Sequence, residues 1–116
     1  MARRRDRQRG LKAPASEYAD AEGNVLTLRG ALTAGTRLKL AETLEQGSRS
    51  REDAWQRAVE LLFERVALRW EIAGAPIVHQ RELLARFRAA SAEERAWVRQ
   101  TLRDHCAEHF PDVRAP

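Results

Sequence analysis

His105, Cys106 and His109 are the side chains whose types and spacing come nearest to metal or nucleophilic chemistry. At i and i+4 on a helix, the two histidines share a face, with Cys106 beside them. Two imidazoles and a thiolate fall short of four zinc ligands, and neither a CxxC pair nor an HExxH helix accompanies them. By helical rotation both histidines line up with Val98 and Leu102, the side expected to be buried. A histidine in the last turn is also favoured by the helix dipole. The group therefore reads as core-edge histidines, with Cys106 as a small apolar filler, and no metal or cofactor is expected. Other chemistry is no better supported. The phosphate-binding patterns GxxxxGK[ST] and GxGxxG are missing, and no serine sits in a nucleophile elbow. Glu93-Glu94 is explained by a helix start, and Arg81, Arg86 and Arg88, countered by Glu82, read as a solvated face. An enzyme is not expected.

The elements that carry these residues are strongly punctuated. Glu22-Gly23-Asn24 between Tyr18 and Val25-Leu26-Thr27-Leu28-Arg29 predicts a short hairpin. Two strands alone are marginal in water, so this hairpin must lie on helices or on a partner. Thr33 or Thr36 can cap a first helix carrying Leu38, Leu40, Ala41 and Leu44, stopped by Gly47. Ser50 then opens a long second helix, expected to run to Ala73 before Gly74-Ala75-Pro76 ends it. A third helix is expected over 78–89, bearing Leu83, Leu84 and Phe87. Ser91 and Glu94 form a capping box for a fourth, which ends before Pro111. The expected fold is mainly α: a single domain over residues 17–113, with about four helices and an N-terminal hairpin. A disordered basic tail over 1–16 precedes it.

On the long helix, Trp55, Val59, Leu62, Phe63, Val66 and Trp70 form a core-facing stripe, with both tryptophans as anchors. Arg57, Glu60, Glu64 and Glu71 face solvent. Leu61, Leu68 and Ile72 make a second, narrow apolar ridge, divided from the first by Arg65 and Arg69. Either the hairpin or the first helix covers this ridge, or it contacts another chain.

The chain has 116 residues and a net charge of +4, with a sequence pI near 10.2 and a mean hydropathy of −0.61. All the excess charge lies in the first dozen residues, where Arg3, Arg4, Arg5, Arg7, Arg9 and Lys12 stand against Asp6 alone. The arm is either a phosphate-tracking segment for nucleic acid or a solvated terminus; no aromatic interleaves it for base stacking. No apolar run approaches the length of a membrane span, and no h-region follows the arginines, so neither a membrane protein nor a secretory signal is expected. A lone cysteine excludes an internal disulfide and suits a reducing, intracellular setting.

Several stretches carry a resemblance. They are Gly23-Asn24-Val25-Leu26-Thr27-Leu28-Arg29-Gly30 followed by Leu32-Thr33, then Trp70-Glu71-Ile72-Ala73-Gly74 and Arg81-Glu82-Leu83-Leu84. Ala90-Ser91 with Glu94-Arg95, and Trp97-Val98-Arg99, complete them. From Glu17 to Val113 the chain resembles small helical proteins encoded among the tail genes of tailed phages and actinobacterial prophages, the tail assembly chaperones. The resemblance implies a strand-bearing N-terminal part and a helical body. It also implies self-association, binding of the tape-measure protein in the host cytoplasm and, in many members, a longer frameshifted form. The basic N-terminus is not part of that pattern. A nucleic-acid-associated accessory protein, or a small virion component such as a head–tail connector, are the alternatives.

Overall fold

The computed structural model describes residues 14–45 and 51–116. The basic residues Arg3 to Lys12, and the expected caps Gly47 and Ser50, lie outside them. The element order is β1 (Ala15–Ala19), β2 (Val25–Arg29), α1 (Ala34–Glu45), α2 (Arg51–Val66), β3 (Ala67–Ile72), β4 (Ala75–Ile77), α3 (Gln80–Arg88) and α4 (Ala92–His109). All the strands join in one antiparallel sheet, ordered β1-β2-β3-β4. The architecture is α+β, which corrects the mainly α expectation with its two-stranded hairpin.

The correction falls on one stretch. The long helix stops at Val66, and Ala67–Ile72 continues without a loop as β3. Ala73 and Gly74, at φ 51° and 80°, then make the two-residue turn into β4. Two consecutive left-handed residues are what a type I′ hairpin turn requires, so Gly74 marks a turn between strands and not the stop of a helix. The physical reason is the need noted for the first hairpin: β2 alone leaves an edge unpaired, and β3 pairs with it along its length. Trp70 continues the helical stripe on paper, but it also alternates correctly as a strand residue. It pairs with Leu26 on one side and Ile77 on the other.

The first hairpin forms as expected, although β1 takes in Ala15 and Ser16, which composition assigns to the tail. Asp20 shapes its turn by accepting from the amides of Glu22 and Asn24 at 2.9 Å each, and Gly23 takes φ 85°. Asn24 Oδ1 accepts from the Ala73 amide at 3.0 Å and so ties the two hairpin turns together. Thr33 is the residue that caps α1, its Oγ1 accepting from the Thr36 amide. Ser91 and Glu94 make the complete capping box of α4.

One face of the sheet packs on the helices. Leu26, Leu28 and Trp70 share a buried cluster with Phe63 of α2, Leu83 and Phe87 of α3, and Val98 and Leu102 of α4. Phe63 stacks on Phe87 at 4.7 Å and meets Trp70 edge-on at 5.9 Å between centroids. Trp70 is a core anchor as expected. Trp55 is only half-buried and has the Arg99 guanidinium over its ring.

Candidate protein-interaction surfaces

The histidine group is built from α4 and the edge strand β1. His105 is fully buried; its Nε2 lies 2.8 Å from the Arg29 carbonyl and its Nδ1 lies 2.7 Å from the Tyr18 hydroxyl. A carbonyl can only accept, so Nε2 carries the proton and Tyr18 donates to Nδ1. Burial also holds the His105 pKa below its ordinary value. His109 stands 4.5 Å away between ring centroids, and its Nε2 is 3.2 Å from Ser16 Oγ. Both ring nitrogens of His105 are thus committed to the fold, and the buried Cys106 thiol is pushed up to about 11, far from a reactive thiolate. The group is a clasp between helix and strand. Its partners Ser16 and Tyr18 were not singled out from sequence, although their alternation on a strand was the available signal.

The proposed ridge of Leu61, Leu68 and Ile72 does not exist as a ridge, because only Leu61 is helical. The three residues mark three different surfaces. Leu61 sits with Leu84 on the floor of a groove of about 360 Å³ along α1, α2 and α3. Lys39, Arg57, Glu60, Glu64 and Arg88 line its sides. Arg88 holds Glu60 through Nε and Nη2 at 3.0 and 2.8 Å, whereas Lys39 and Arg57 make no ion pair among the described residues. Glu64 lies 3.9 Å from Arg65, so Lys39 and Arg57 are the unpaired charges among the groove's described residues. Leu38, the most exposed large apolar residue described, is also on α1.

Ile72 packs at the edge of the core and lines a cleft of about 490 Å³ between the two hairpin turns and the α3–α4 junction. Its carboxylates are partly spoken for. Asp20 serves its turn; burial opposes its ionisation, but bonds from Asn24, Glu22 and Gly23 outweigh it and lower its pKa. Glu94 is lowered by Arg86, 2.7 Å away, and by the Ser91 amide of the capping box.

Leu68 is different again. It has no partner on β2, because the register slips there from Thr27↔Arg69 to Leu28↔Ala67. It is the extra residue of a β-bulge, half-buried and outside the set of side chains packed on the core. It turns instead to the second face of the sheet, with Glu17, Thr27, Arg69 and Glu71. No residue of that face is buried.

Among the described residues no helix is long and apolar enough to cross a membrane, and no group of three or more His, Cys, Asp or Glu could hold a metal. Comparison with protein-family models, with curated proteins and with solved structures gave no match to this chain.

Proposed function

We propose that the chain is a non-enzymatic tail assembly chaperone of a phage or prophage. It self-associates and holds a helical segment of the tape-measure protein in the bacterial cytoplasm before the tail tube forms. The observation that carries this reading is the groove over Leu61 and Leu84, flanked by the unpaired cations Lys39 and Arg57. An apolar floor between charged rims suits one face of an amphipathic helix, with the apolar residues laid into the floor. The rim cations favour a client helix whose apolar stripe is bordered by acidic residues. Such a client exposes an apolar stripe until it assembles, and covering that stripe is the work of a chaperone.

The reading expects a long coiled-coil protein to be encoded beside this chain, and the test is coexpression of the full chain with that product. A soluble complex is expected with the wild type, and its loss is expected with Leu61→Glu. Leu61 and Leu84 are half-buried at the rim of the core and open to the groove, so circular dichroism and the unfolding transition of each variant are compared with the wild type to separate lost binding from lost folding. No complex with that neighbour, or one indifferent to both Leu61→Glu and Leu84→Glu, would overturn the reading.

The basic arm supports a second reading, nucleic-acid association, because the chain's whole excess charge is gathered there. Binding through the arm would weaken steeply with salt and vanish on deletion of residues 1–12. Binding that survived the deletion would refute it, since the remainder of the chain has a net charge of −1.

A further inference from the structure

The sheet has two faces and the helices cover one. On the uncovered face the register sets Glu17, Thr27 and Arg69 in one row across β1, β2 and β3. The next row is Ala19, Val25, Glu71 and Pro76. Arg69 Nη2 donates to Glu71 at 2.9 Å, whereas Glu17 makes no ion pair among the described residues. Thr27 Oγ1 is hidden from solvent yet has no hydrogen-bond partner, although it lies on the open side. An unpartnered hydroxyl beneath half-buried neighbours marks a face that is incomplete as it stands.

We infer that this uncovered sheet face is the contact between two copies of the chain, packed face to face about a two-fold axis that runs along β2 through Thr27. The inference deepens the self-association in the reading above and is independent of the client groove. Its basis is self-complementarity. Glu17 and Arg69 flank Thr27 at equal distances, one strand to either side. A two-fold axis parallel to the strands exchanges those sides and lays Glu17 of each copy over Arg69 of the other. The same operation sets Glu71 over Ala19, brings Leu68, in the bulge beside Arg69, against the partner's β1 between Glu17 and Ala15, and lets Val25 and Thr27 each meet their own copy. The long Glu71 thus meets a small residue, and the strands of the two sheets stay aligned, as face-to-face sheets prefer. Arg29 meets its own copy at the margin, where it is exposed and long enough to turn to solvent. The two acids and two bases leave the face with no net charge, which disfavours a strongly charged partner such as a nucleic acid. An isologous contact of this kind closes after two copies.

Charge reversal tests the pairing directly, with mass in solution measured by sedimentation velocity on the full chain. The wild type is expected as a dimer. Glu17→Arg alone sets an arginine opposite Arg69 at each of the two contacts, and Arg69→Glu alone sets carboxylates together; each should weaken dimerisation at least tenfold. Mixing the two single variants should restore a dimer, because every 17–69 contact is then opposite in sign. A merely structural role for either residue would not produce that rescue. A wild-type monomer at high micromolar concentration would overturn self-association altogether. A wild-type dimer untouched by both reversals, or no rescue on mixing, would overturn this face while leaving both self-association and the groove standing.

Discussion

At the scale of single residues, the clasp sets a direction for stability against pH. His105 is neutral in the fold, with Nδ1 accepting from Tyr18, and its pKa is lowered mainly by burial, although the Arg29 carbonyl opposes the shift. The unfolded chain therefore binds the proton first, starting near the ordinary value of about 6.5. Between that value and the lower folded one, the unfolded state holds more protons, so stability falls as pH falls. Thermal unfolding should show a lower Tm at pH 5.5 than at pH 7.5, and His105→Gln should flatten that part of the difference. Tyr18→Phe removes the donor and leaves Nδ1 buried without a partner, at a cost of roughly 1–3 kcal/mol in denaturant unfolding. Burial alone raises the Cys106 thiol to about 11. Alkylation by iodoacetamide at pH 8 should be slow in the native protein and fast in denaturant; rapid native labelling would contradict the packing.

At the scale of elements, two glycines separate backbone strain from close approach. Gly74 has φ 80° and open space where a Cβ would stand. Gly74→Ala should therefore cost only the left-handed backbone, about 1–2 kcal/mol. Gly30 donates to the Pro14 carbonyl at 2.8 Å, and a Cβ there would come within 2.4 Å of that same oxygen. Gly30→Ala must push the start of β1 away and strain the Ser16–His109 and Tyr18–His105 bonds, so it should be the more destabilising of the two in denaturant unfolding. The same elements show what could be read in advance. Capping chemistry is local, so Thr33 or Thr36, and Ser91 with Glu94, announced α1 and α4, and Glu22 to Asn24 announced the first hairpin, although the part Asp20 plays in its turn was not read. The end of α2 was not legible. Val66 to Ile72 fits a 3.6-residue period and a two-residue period about equally, and what decides between them is pairing with β2, some forty residues earlier in the chain. Losing β3 misplaced Leu68 and Ile72, and with them the proposed ridge; Leu61 alone kept its helix.

At the scale of the whole molecule, the groove over Leu61 is walled by α1, α2 and α3, and the Glu17–Arg69 row lies on the face of the sheet that the helices leave uncovered. A dimer joined through the sheets would leave both grooves open, since no strand residue lines them. If each groove takes one client segment, as proposed, a client with two such segments, joined by a linker long enough to span the dimer, would be held twice. The second binding event is then intramolecular and gains from effective concentration without any new contact. Glu17→Arg should leave affinity for a single-segment peptide within about twofold, since nothing at the groove changes. It should lower affinity for a two-segment client by tenfold or more, because avidity is lost with the dimer. Leu61→Glu should weaken both clients while the mass in sedimentation stays that of the dimer. Titration calorimetry on the two client lengths separates these cases. Equal losses for both lengths in Glu17→Arg would mean that the sheet face and the groove are coupled, and that the two layers do not act independently.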